Sequence, residues 1–141
     1  MRKAFSIVVI AGFLVAFSAA LAAAYSIEEN QVDPQKIYWG RPSQFENPAE
    51  VRYQEVIMET PEYQELKNRR IERGTGRYWI LISQASDRVV RTIAQVGQES
   101  EYDLIAAEGY LGSLDPAVPA DDVTELVLKT MEQNVRRSRN R

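Results

Sequence analysis

The chain of 141 residues contains no cysteine and no histidine. Without cysteine there is no disulfide, no thiol nucleophile and no attachment point for a lipid. Without histidine the commonest general base and most transition-metal sites are gone as well. An enzyme is therefore disfavoured, and no cofactor or metal is expected. Paired carboxylates at Asp121 and Asp122 could bind calcium or act as acid and base, but they stand where a helix cap is expected. Glycine is also scarce, with seven residues. Two of them flank Thr75 in "RRIERGTGRYWI". A phosphate-cradling loop normally follows a hydrophobic strand and carries a lysine; this one follows charged helix formers, so it reads as a turn.

What is present begins with "MRKAFSIVVIAGFLVAFSAALAAAYS": a basic start, an apolar run and an alanine-rich end with A-x-A cleavage patterns. Residues 1–24 read as a cleavable secretory signal peptide, which places the mature chain in the periplasm. The rival is a retained membrane anchor, since about 20 apolar residues can span a bilayer. Cutting after Ala24 leaves residues 25–141 with 15 basic and 20 acidic side chains, a net charge of −5. Such a chain is no general nucleic-acid binder. Its cations concentrate in residues 61–98, where Lys67, Arg69, Arg70, Arg73, Arg77, Arg88 and Arg91 outnumber four acidic residues.

Residues 25–48 hold three prolines and little periodicity and read as an extended leader rather than a packed element. Tyr38-Trp39 within it anchors the leader on the domain or docks a partner. Next, "AEVRYQ" alternates Val51 and Tyr53 with charged neighbours, as a short half-buried strand does. Residues 54–98 then read as an antiparallel helical hairpin with arms of about 20 and 22 residues, each roughly 30 Å long, and Gly74-Thr75-Gly76 as its tip. Thr60 and Pro61 mark a helix start or restart. In the second arm Trp79, Ile82, Ser86, Val89, Ile93 and Val96 make a narrow apolar stripe.

At the tip, Arg69, Arg70, Arg73 and Arg77 are either a solvated helix end or a contact point for anionic partners. The helix dipole accounts for Arg70 and Arg73 but not for Arg77, at the positive end of the second helix. Trp79 is expected to pack. Further on, "EYDLIAAEGYLGSLDP" predicts a strand buried on both faces through Tyr102–Ala107, a turn at Glu108-Gly109, and a second strand near Tyr110–Leu114. Asp122 and Glu125 form a D-x-x-E capping box before a helix with Val123, Leu126, Val127 and Met131 on one face. Residues 135–141 read as a basic disordered tail.

The order of a signal peptide, a short strand, a helix with "TPEY", a helical hairpin, "YDLI", a second strand and "DDVTELVLKTM" resembles the Skp/OmpH family of periplasmic chaperones. The resemblance covers roughly Ala49 to Met131, most specifically Tyr102–Ile105 and Asp122–Leu128. It implies an α+β fold over residues 49–134: a small β-sheet body that forms a barrel in a homotrimer, a protruding antiparallel hairpin, and a C-terminal helix. It also implies an ATP-independent holdase for unfolded outer-membrane proteins. The chain departs from the pattern in its short arms and acidic body. Three short strands cannot close a barrel alone, so Val51, Tyr53, Tyr102, Leu104 and Ile105 are expected at an oligomer interface. Arg69, Arg70, Arg73, Arg77 and Trp79 are expected to meet clients, and the same cations could touch an anionic membrane. The alternative function is a non-enzymatic envelope scaffold or adaptor that reaches a specific partner through the leader.

Overall fold

The computed structural model describes residues 24–141; the expected signal peptide lies outside the described residues except for Ala24. Four helices and a four-stranded mixed sheet make up the fold. In chain order they are β1 (Ile37–Gly40), β2 (Pro48–Val51), α1 (Tyr53–Met58), α2 (Pro61–Asn68), α3 (Gly76–Glu99), β3 (Leu104–Ala107), β4 (Asp121–Asp122) and α4 (Thr124–Arg139). The sheet order is β1-β3-β2-β4. β3 runs antiparallel to β1 and parallel to β2, while β4 runs parallel to β2. Parallel neighbours need a long crossover, and the three helices between β2 and β3 supply it.

Side chains alternate across the sheet, which divides the core in two. Ala49, Val51 and Ile105 face a helical layer built from Val56 and Ile57 of α1, Ala85, Val89, Ile93 and Val96 of α3, and Val127 and Met131 of α4. Leu104 and Ala106 face the other way, onto Ile27, Phe45, Leu111 and Val118. The central strand is thus buried on both faces, as its doubly apolar pattern predicts.

Five expectations are corrected. Residues 25–48 are not an extended leader: β1 is a sheet edge, Ile27 and Phe45 are buried, and Tyr25 and Phe45 exchange backbone hydrogen bonds. Turn geometry fixes this segment. Asp103 accepts the N–H groups of Glu46 and Asn47 at 2.8 and 2.9 Å. Gly40, with φ +92°, lies where a Cβ would stand 2.0 Å from the Asp103 carbonyl oxygen, so β1 can approach only as glycine.

Second, the segment expected to be a strand at Tyr110–Leu114 is a 3₁₀ turn at Leu111–Ser113. The Glu50 carboxylate holds it by accepting the N–H groups of Gly109 and Leu111 at 3.0 and 2.9 Å, and Leu111 is driven beneath the sheet.

Third, the two arms are neither equal nor both projecting. The first breaks at Thr60, whose side chain caps α2 by accepting the Tyr63 N–H, and α2 ends at Asn68. Its partner α3 is 24 residues long, roughly 36 Å, and from Leu81 to Gly97 one side of it is buried in the core. Fourth, residues 135–139 continue α4 rather than forming a disordered tail.

Fifth, Val51, Leu104 and Ile105 cannot form an oligomer interface, because each is at most 1% exposed within the single chain. Tyr53 and Tyr102 are half-buried; Tyr53 stacks on Tyr38 with centroids 5.5 Å apart. The chain closes both faces of its own sheet. Its β4 edge is two aspartates long, short and charged in the manner that discourages strand pairing.

Candidate binding surface at the arm tip

The turn between α2 and α3 spans residues 69–75. It opens with Arg70 at φ 51° and passes through Gly74 at φ 93°, a left-handed conformation that glycine adopts without strain. Thr75 then caps α3: its hydroxyl accepts the Tyr78 N–H at 3.2 Å and donates to the Glu72 carbonyl at 2.9 Å. Gly76 is the first helical residue. The turn predicted from the glycine pair is therefore present, although the first helix stops earlier than Gly74.

Two ion pairs tie α2 to α3. Arg88 grips Glu62 with Nε and Nη2, at 2.9 and 2.6 Å, a bidentate charge-assisted contact. Burial alone would raise the Glu62 pKa. The Arg88 hydrogen bonds, a backbone hydrogen bond and the charges of Arg88 and Arg91 outweigh it and hold this carboxyl below its usual value. Hydrogen bonding to Glu62 raises the Arg88 pKa in turn, against the opposing effect of burial. Nearer the tip, Glu65 accepts from Arg77 at 2.6 Å and stands 3.7 Å from Arg69.

Of the four arginines expected at the tip, Arg69 and Arg77 are therefore partly neutralised by Glu65. Arg70 and Arg73 are exposed, with no ion pair among the described residues. Trp79, expected to pack, is 57% exposed and stands edge-to-face with Tyr78, with centroids 5.2 Å apart. Ile80 beside it is 59% exposed and escaped the sequence reading.

The reason is register. The buried line of α3 is Leu81, Ala85, Val89, Thr92, Ile93 and Val96, which steps back from Val89 by fours. A stripe through Ser86 and Ile82 instead puts Trp79 inside. The small Ala85 was the signal available in the sequence.

The paired carboxylates have structural partners. Asp121 accepts the Tyr102 hydroxyl at 3.0 Å. Asp122 accepts the Thr124 N–H at 2.9 Å and faces Arg52 at 3.3 Å. Hydrogen bonding from Thr124, then Arg52, lowers its pKa. The Asp122 carboxylate thus satisfies the first N–H of α4, while its N-cap Val123 makes no side-chain cap bond and Glu125 does not complete the expected box. Among the described residues no group of three or more acidic side chains is placed to hold a metal, and no helix is long and apolar enough to cross a membrane.

No family model, curated protein or solved structure matches the chain.

Proposed function

We propose that the chain is a non-enzymatic, ATP-independent holdase of the periplasm that binds unfolded outer-membrane proteins through the tip between α2 and α3. The observation that carries this reading is the exposure of Trp79 and Ile80, each more than half accessible, on the first turns of a helix whose remainder is fixed in the core. Arg70 and Arg73 sit in the adjoining turn. Aromatic, aliphatic and cationic groups on one knob make many weak contacts without a unique geometry. That suits clients that share exposed apolar side chains and little else. The sheet needs no sister subunits to complete it, so the reading rests on the tip rather than on a trimeric cage. An adaptor acting through Tyr38 and Trp39 finds no support, since Tyr38 stacks on Tyr53 and Trp39 lies against Gly97.

The test is light scattering from a β-barrel membrane protein diluted out of denaturant, with and without residues 25–141. The wild type lowers the aggregation rate in proportion to its concentration. Substituting Arg69, Arg70, Arg73 and Arg77 together with glutamate, or Trp79 and Ile80 with serine, removes most of that effect. Equal protection by all three proteins would remove the tip from the account, and no protection by any would end the holdase reading.

A further inference from the structure

A groove of about 1020 Å³ runs between α2 and α4 and reaches the start of the tip turn at Asn68 and Arg69. Its floor is apolar, with Leu128, Met131 and Val135, and its rims are charged. We propose that this groove receives α4 of a second copy of the chain, lying antiparallel, so that the protein is a two-fold dimer. The inference is independent of the holdase reading.

Three observations point to this occupant. The first is an unsupported helix end. All the buried residues of α4, Thr124, Val127, Thr130 and Met131, lie in its first half. Beyond Met131 the helix is held to the body through a hydrogen bond from Asn134 to Gln95 at 2.8 Å, with Val135 half-buried on the groove side. A helix of 16 residues is marginal in water unless its apolar side is covered.

The second is volume. A helix about 10 Å across with a 5.4 Å pitch occupies roughly 400 Å³ per turn, so the groove accommodates between two and three turns. The charged stretch from Glu125 to Arg136 is a little over three turns, so the groove covers its middle rather than its whole length.

The third observation is charge order, which selects a copy of this chain rather than a foreign helix. The charged residues of α4 that line the groove run Glu125, Lys129, Glu132, Arg136 and Arg139. Placing two copies antiparallel about a two-fold axis between Thr130 and Met131 sets Glu125 of one against Arg136 of the other. The same operation sets Lys129 against Glu132, and the two-fold axis generates each pair twice. A parallel arrangement would set like charges together. The same axis sets Val135 of one copy opposite the exposed Leu126 of the other, so apolar groups from both copies cover the floor.

The experiment is sedimentation equilibrium of residues 25–141, read as a dimer dissociation constant. Wild type is expected to be dimeric at micromolar concentration. Arg136→Glu sets glutamates against each other at two symmetric positions and weakens the dimer about tenfold or more. Combining it with Glu125→Arg restores attraction in reversed polarity and recovers most of the affinity. Both side chains are exposed, so each variant keeps the wild-type far-ultraviolet circular dichroism, while melting of Arg136→Glu falls with the loss of the dimer. A monomer at all concentrations overturns the proposal. So does a trimer, a dimer indifferent to Arg136→Glu, or a loss that Glu125→Arg fails to repair.

Discussion

Helix α3 has two ends of opposite character. From Leu81 to Gly97 it is the spine of the core, touching α1, α2, α4 and two strands. Over Arg77–Ile80 the same helix presents a tryptophan, an isoleucine and an arginine mainly to water. Nothing in local helix propensity requires that difference, since isoleucine and tryptophan are similar helix formers. Position against the sheet does. Where α3 passes over Ile105 and Val51 its apolar side chains are buried, and where it runs beyond the sheet they are not. Exposed apolar groups on a helix end that is already capped by Thr75 and braced by Glu65 serve no packing purpose, which makes them candidates for contact with other molecules.

The contrast breaks most severely in the core half. Ile93→Ala removes a fully buried side chain from the junction of sheet and helices. It is expected to destabilise the fold by about 3 kcal/mol, within the range for buried aliphatic truncations, as measured by urea denaturation of residues 25–141. A loss below about 1 kcal/mol would mean that this part of α3 is not the spine described.

The Glu62–Arg88 pair lies between the two ends and should behave accordingly. Arg88→Ala leaves a partly buried carboxylate without its cation and is expected to cost roughly 1 to 2 kcal/mol near neutral pH, discounted for solvent screening. Because the folded pKa of Glu62 is lowered, its contribution is complete above the unfolded carboxylate value. That contribution disappears as the pH falls through the folded value. Stability of wild type and Arg88→Ala should therefore converge in acid. Parallel curves down to the lowest accessible pH would show that the pair is not the source of the difference.

Gly97 marks the other limit of the spine. A Cβ there would stand 2.2 Å from Cδ1 of Trp39, so the indole must move to admit it. Alanine in place of glycine favours a helix by up to about 1 kcal/mol, and overpacking opposes it by about 1 to 3 kcal/mol. The expected net result for Gly97→Ala is a loss of about 1 kcal/mol together with a change in Trp39 fluorescence. Stabilisation with unchanged fluorescence would detach Trp39 from α3.

What could be read in advance follows from how local each feature is. The Thr60-Pro61 restart, the turn around Gly74 and the doubly buried strand at Leu104–Ala107 are set by neighbouring residues, and all three are visible in the sequence. The packing of residues 25–48 is set by partners far along the chain: Asp103 holds Glu46 and Asn47, and a cross-sheet neighbour compels Gly40 to be glycine. Proline content and weak periodicity gave no hint of those contacts. The burial of Leu111 in a turn depends on Glu50, 61 positions away, which no local pattern signals. The tip was half legible. Its arginines stand out in composition, but the exposure of Trp79 and Ile80 depends on a one-residue choice of register that only the position of the sheet decides.

The smallest stability effect belongs to the tip, where the comparison is sharpest. Trp79→Ala and Ile80→Ala remove large side chains that are more than half exposed, so each should alter unfolding free energy by no more than about 0.5 kcal/mol. If the tip exists for contact, those same substitutions should reduce client protection far more than Ile93→Ala does under conditions where all the proteins remain folded. Stability and binding would then separate along a single helix, with the losses in one measurement mirrored by silence in the other. A tip variant that melts several degrees early would instead place Trp79 in the structural half of α3, and the division between spine and contact end would no longer hold.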